Sequence, residues 1–188
     1  MKLQLAVMET QDETKVEFEQ ELKELEQMID GYLEFARDDR EEQMVDASLF
    51  KLLQQAVKSS DPSGKKINIL VPNDNIPIFP IQVQSIRRAL INLLTNAIRY
   101  AGKATAQIQI FDDHSEIIID DNGPGIPRDK RDEVILPFTR LENSRNSKTG
   151  GTGLGLSIAK NSALNHGGEL ILEDSPLGGL RVRLLLPL

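Results

Sequence analysis

The chain has 188 residues, 39% of them hydrophobic, which is enough for one globular domain with an appendage. It contains no cysteine and two histidines, His114 and His166, which excludes a disulfide framework, a thiolate metal site and a histidine-rich metal cluster. A net charge of −7 argues against a nucleic-acid partner, and with no apolar run of membrane-spanning length and no cleavage site in "MKLQLAVMETQDE" the chain as written is expected in the cytoplasm.

"MKLQLAVM" reads as the end of a helix, joined through "ETQDE" to a second one. From Asp12 to Glu42 the sequence is charged and nearly free of breakers, with Phe18, Leu22, Leu25, Ile29, Leu33 and Ala36 spaced by four and three. That is the stripe of one long amphipathic helix, and a single stripe needs a partner helix, as in a hairpin or bundle. A solvated surface helix is the plainer alternative, but it would leave six apolar positions exposed. A break near Asp46 separates this appendage, residues 1–43, from an α/β domain over 44–188.

"DASLFKLLQQAVKSS" opens on an aspartate suited to cap a helix whose stripe is Leu49, Leu52, Leu53 and Ala56. "KINILVP" is a short strand ended by Pro72. Pro80 then precedes "IQVQSIRRALINLLTNAIRYA", a long helix burying Val83, Ile86, Leu90, Leu93, Leu94 and Ile98. The strands "AQIQIF" and "SEIIIDD" follow, with His114 in the turn between them. Beyond "NGPGIP" come a short helix and the polar stretch "RLENSRNSKTGGTG", whose length and composition suit a lid. The helix "LGLSIAKNSALNHGG", stopped by Gly167 with His166 as a cap residue, leads to two strands joined through Pro-Leu-Gly-Gly. These elements predict a mixed sheet with helices on one face.

Four stretches carry residues with chemical potential. Asn92 and Asn96 fall one turn apart on one helix face among apolar neighbours, where a buried amide needs a partner, either a loop or a ligand. Asp121 ends an isoleucine-rich strand and is followed by Asn-Gly-Pro-Gly, a setting that suits either an ordinary turn or recognition of a base through its exocyclic amine. Phe138 and Arg140 stand at the mouth of the polar stretch. "TGGTGLGLS" then feeds a glycine-rich turn into a helix, aiming backbone N–H groups at one place as phosphate sites do. It is neither a Walker A loop, because Leu156 and Ser157 follow Gly155, nor the dinucleotide G-x-G-x-x-G pattern.

Asparagine pair, aspartate with glycines, phenylalanine with arginine and glycine-rich loop, in that order, resemble the N, G1, F and G2 boxes of sensor histidine kinases. The resemblance covers the catalytic ATP-binding domain from about residue 46 onward. The long helix before it resembles the second helix of the family's dimerisation and phosphotransfer hairpin. The branch resembled is that of membrane sensor kinases paired with winged-helix response regulators. The resemblance implies a Bergerat-type two-layer α/β sandwich, shared with type II topoisomerase, mismatch-repair and heat-shock-ninety ATPases. It implies ATP and Mg²⁺ as cofactors, a homodimer in the intact kinase, a response-regulator partner, and membrane attachment only through segments outside this chain.

Residue by residue, the resemblance implies that Asn96 holds the Mg²⁺ on the ATP phosphates and that Asn92 lines the same pocket. Arg99 and Tyr100 would flank the nucleotide, near phosphates and adenine respectively. Asp121 would accept the adenine amine, with Gly123, Gly125 and Ile126 shaping that wall, and Arg140 would meet phosphate. Gly151, Thr152, Gly153, Leu154, Gly155 and Leu156 would close over the phosphates. ATP-hydrolysing relatives carry a glutamate base four residues before the metal-binding asparagine. Asn92 stands there and cannot take a proton, which favours transfer to a histidine over hydrolysis. The family's phosphoacceptor stretch, His-Glu/Asp-x-Arg-Thr-Pro, is not in this sequence, and neither His114 nor His166 replaces it. The other readings are a nucleotide-binding regulator without kinase activity and an ATPase of the same fold.

Overall fold

The computed structural model describes residues 42–70, 76–140 and 152–188. It also describes Phe18, Glu19, Leu22, Leu25, Glu26, Ile29, Gly31, Tyr32 and Leu33, all helical. Of the expected features, the "MKLQLAVM" helix end, Ala36, Pro72, Gly151 and the centre of the polar stretch lie outside the described residues. In the N-terminal helix Phe18, Leu22, Leu25, Ile29 and Leu33 are exposed, as a stripe without its partner would be.

The domain opens with β1, Val45–Ser48, followed directly by α1, Leu49–Ser60. The expected cap, Asp46, is instead a strand residue paired with Pro80. Ser48 caps α1, its hydroxyl accepting from the Lys51 N–H at 3.4 Å, because the helix begins only where the strand pairing ends. β1 pairs antiparallel with β3, Ile78–Ile81, a two-stranded sheet that the sequence reading did not anticipate. Pro80, expected only to precede the long helix, is the third residue of β3. It is tolerated because β3 has one neighbour, so that an edge position without an N–H costs little.

Between these strands lies β2, Ile67–Leu70, and after them α2, Val83–Ala101, which ends at Gly102 in the left-handed conformation (φ 80°). β4, Ala104–Ile110, and β5, His114–Asp121, form the hairpin expected from the alternating pattern. His114 is the first residue of β5 rather than a turn residue, paired opposite Pro187 and stacked on the Phe111 ring. A 3₁₀ turn, Arg128–Lys130, runs into the short α3, Arg131–Val134. Then come α4, Gly155–Asn165, and the hairpin of β6, Glu169–Asp174, with β7, Leu180–Pro187.

The larger sheet has five strands in the order β2-β4-β5-β7-β6. β2 and β4 are parallel, as their connection through β3 and α2 requires, and the other pairs are antiparallel. Register sets Ile108, Ile117 and Leu184 in one row and Ala106, Ile119 and Val182 in the next, so one sheet face is apolar and packs against α2 and α4. Leu49, Leu53, Leu90 and Leu94 close the core from the helix side, fully buried. The opposite sheet face carries ion pairs: Arg181 grips Asp120 at 2.8 and 2.9 Å, and Arg183 bonds Glu116 and Glu173. A mixed sheet with helices on one face is therefore the architecture, as expected from the α/β pattern.

Candidate functional site

The site lies where the ends of α2, β5 and α4 meet. Asn92 and Asn96 are partly buried on α2, and the Asn92 amide donates back to the Arg88 carbonyl at 3.1 Å. The Asn96 amide has no hydrogen-bond partner among the described residues. Gly155, the first residue of α4, packs directly on this pair. A Cβ there would lie 3.0 Å from Asn96 Nδ2 and 3.2 Å from Asn92 Oδ1, so a side chain would press on the amides. The asparagine face and the start of the glycine-rich helix are thus brought together across 60 residues of sequence. Hard amide oxygens beside unpaired helix N–H groups suit a Mg²⁺ that keeps most of its ligands from water and phosphate.

The second wall is built on Asp121, 7% exposed at the end of β5. Its Oδ1 accepts from the Gly123 N–H at 2.8 Å and from the Leu180 N–H at 3.0 Å, which fixes the carboxylate plane. Oδ2 takes no hydrogen bond among the described residues and is left as an acceptor. Gly123 lies against Ala101 and the Tyr100 carbonyl, so this wall is close to the end of α2. Gly125 adopts φ 68° with its Cα facing the Gly179 carbonyl, and Ile126 packs partly into the core.

Two contributors to this wall were not singled out in the sequence. A Cβ on Gly179 would fall 2.2 Å from Asp121 Oδ1 and 2.4 Å from the Gly123 nitrogen, so only glycine lets the β6–β7 turn reach the carboxylate. Its signal was present in Pro-Leu-Gly-Gly, which by itself reads as a hairpin turn. Arg131 ties the loop after Asp121 to β6, donating to the Ile126 carbonyl at 3.1 Å and the Leu172 carbonyl at 3.2 Å and pairing with Asp174.

The two margins of the polar stretch are pinned together. The Phe138 N–H donates to the Gly153 carbonyl at 3.0 Å, and both residues have positive φ, 64° and 72°. A Cβ on Gly153 would meet the Phe138 carbonyl carbon at 2.9 Å, so this crossing requires glycine. Leu154 is fully buried and its carbonyl accepts from Ser157 Oγ and the Ile158 N–H, starting α4. Thr152 and Leu156 are partly buried beside it. Arg99 and Tyr100 are exposed on the last turn of α2, and Arg140 is exposed at the margin of the polar stretch. His166 is structural: its Nδ1–H donates to the Ser162 carbonyl at 2.7 Å and its Nε2 accepts from the Gln82 N–H at 2.9 Å. Among the described residues no group of three or more His, Asp or Glu could hold a metal ion, and no helix is long and apolar enough to cross a membrane.

Residues 81–188 match the family of Histidine kinase-, DNA gyrase B-, and HSP90-like ATPases. The chain is 32% identical over 177 residues to the sensor histidine kinase CpxA of Escherichia coli K12, covering 90% of this chain and 38% of that one. It is 33% identical over 188 residues to the sensor histidine kinase GtrS of Pseudomonas aeruginosa, covering 99% of this chain and again 38% of the relative. It thus spans well under half the length of these relatives. Among solved structures, the ATP-binding domain of PrrB from Mycobacterium tuberculosis superimposes with a TM-score of 0.62 at 28% identity, over 77% of this chain and 96% of that one. With the family model spanning more than half its length, the chain belongs to the histidine kinase-, DNA gyrase B- and HSP90-like ATPase family, and its domain is a catalytic ATP-binding domain of the sensor histidine kinase type.

Proposed function

We propose that this chain is the kinase module of a two-component sensor histidine kinase, binding Mg-ATP and transferring its γ-phosphate to a histidine on a dimerisation hairpin. The reading is supported above all by the approach of Gly155 to Asn92 and Asn96 on α2 and by the Asp121 wall against the end of the same helix, which suit the phosphate end and the base end of a nucleotide. Asn96 is the proposed protein ligand to Mg²⁺, and Asn92 borders the phosphates. Asp121 Oδ2 is the proposed acceptor for the adenine amine, against the wall of Gly123, Gly125 and Ile126. Arg99 and Arg140 are the proposed phosphate contacts and Tyr100 flanks the adenine. Gly151 through Leu156, with the polar stretch before them, close over the triphosphate. A Mg²⁺ held there by Asn96 would supply positive charge to neutralise the phosphates.

Asn92 supports transfer over hydrolysis, since an amide cannot serve as the base that activates water. Residues 1–43 are the proposed C-terminal part of the hairpin, and 44–188 the catalytic domain. The exposed stripe from Phe18 to Leu33 supports a helix made to pack in a dimeric bundle. The intact protein is then a homodimer on the cytoplasmic side of the inner membrane that passes phosphate to a response regulator of the winged-helix type. Labelled ATP tests this. Given a hairpin that carries the His-x-x-Arg-Thr-Pro stretch, the chain transfers acid-labile, base-stable phosphate to it and acquires none itself; ATP binding without transfer favours a regulator instead.

A further inference from the structure

α2 lacks an N-cap of its own: the side chain of Gln82, at the capping position, makes no capping bond. The first-turn N–H groups are satisfied from 42 residues earlier in the chain. Glu42 Oε1 accepts from the Gln84 N–H at 2.7 Å, and its Oε2 accepts from the Ser85 N–H at 3.0 Å. A carboxylate bridging two first-turn amides meets both the orphan donors and the positive end of the helix dipole. Gln82 grips the same residue from the other side, its Nε2 donating to the Glu42 carbonyl at 2.8 Å.

The grip extends to α4. The Gln82 N–H donates to His166 Nε2, and the His166 Nδ1–H donates to Ser162, whose hydroxyl also meets the fully buried Ser85 at 3.0 Å. Glu42, which follows the N-terminal helix in the chain, is therefore held onto the first turn of α2 and, through Gln82 and His166, onto α4, the two helices that carry Asn92, Asn96 and Gly155. Eleven residues before Glu42, the same N-terminal helix touches the glycine-rich loop. A Cβ on Gly31 would lie 3.1 Å from Leu154 Cδ1 and from Thr152 Cγ2. Gly31 is on the side of the helix opposite Phe18, Leu22, Leu25, Ile29 and Leu33, so this contact leaves the apolar stripe uncovered.

We propose that Glu42 is a positioning residue: by clamping the connecting segment to the first turn of α2, it fixes where the nucleotide cleft sits against the preceding helix. The alternative is that Glu42 only caps α2. The absence of cysteine allows a clean test by pulsed electron-spin distance measurement, with labels at Glu26→Cys on the helix and Lys58→Cys on α1, both exposed sites, diluted into unlabelled chain. No nucleotide is added, so the outcome does not depend on the ATP reading.

The labelled chain gives one narrow distance distribution. Glu42→Ala at least doubles its width, and amide exchange at Gln84 and Ser85 rises tenfold or more. Glu42→Gln, which keeps a neutral acceptor, gives an intermediate width, and it decides the matter if the alanine variant does not fold. A distribution as narrow in the variants as in the parent, with faster exchange at Gln84 and Ser85, would reduce Glu42 to a cap. A broad distribution in the parent would overturn the proposal outright.

Discussion

Gly179→Ala probes the proposed base-recognition wall without changing any residue proposed to meet the nucleotide. The added Cβ would start 2.2 Å from Asp121 Oδ1, 2.4 Å from the Gly123 nitrogen and 2.6 Å from the Asp121 carbonyl oxygen. Two of these are backbone atoms and the third belongs to a carboxylate held by two hydrogen bonds, so the β6–β7 turn must retreat by about 1 Å to reach ordinary contact. That retreat carries the Leu180 N–H, now 3.0 Å from Oδ1, out of hydrogen-bonding range and frees the carboxylate to rotate. Overpacking costs about 1–3 kcal/mol, and the lost bond to a charged acceptor about 1.5–3 kcal/mol more, so a total loss of about 2.5–6 kcal/mol is expected. Urea unfolding measures the stability, and calorimetry with ATP measures the binding, which should weaken about tenfold or more.

Gly168→Ala is the matched control, since a Cβ there would start 1.9 Å from the Leu185 carbonyl oxygen but far from Asp121 in the sheet. It should destabilise comparably and leave the preference for adenine intact. A Gly179→Ala chain that keeps both the parent's unfolding midpoint and its nucleotide affinity would refute the reasoning.

Asn96→Ala should abolish the dependence of ATP binding on Mg²⁺ while leaving metal-free binding near the parent's; unchanged metal dependence in calorimetry would remove Asn96 from that role. Asp61 accepts from Ser63 Oγ at 2.6 Å and from the Lys66 and Ile67 N–H groups, bonds that hold its carboxyl down at about 2. Because the folded value lies below the ordinary 3.8, its contribution to stability is whole above that pH and is lost as pH falls toward 2. Asp61→Asn should flatten this part of the acid limb in urea melts. His114, held by Asp113 and then Glu116, is raised above its ordinary 6.5, so its contribution is whole below that pH and disappears as pH rises through the raised value. His114→Gln should remove that slope, and an unchanged profile would show that the pairs do not matter.

Periodicity made most of the fold legible, because Leu90, Leu94, Ile117 and Ile119 had to face one core whatever else the chain did. β3 escaped because its four residues, Pro80 among them, carry no alternation that favours a strand over the approach to a helix, and β1 because its residues run directly into the helical stripe of α1. Asp46 misled because any aspartate before an apolar run looks like a cap, whereas strand pairing decides where the helix begins. Asn92, Asn96, Asp121 and the glycines were legible as local motifs. Glu42 and Gly179 were not, since each acts on a residue 42 or more positions away that only tertiary packing brings near.

Recognition of adenine through Asp121 is the proposal on which the other assigned roles depend. The most direct measurement compares ATP with purine riboside triphosphate, which lacks the exocyclic amine, by calorimetry on the parent and on Asp121→Asn. Leaving a buried acceptor unpaired costs about 1–3 kcal/mol, so the parent should favour ATP by roughly 5- to 150-fold, and the variant should lose most of that preference. Equal affinity of the parent for the two nucleotides would contradict the account.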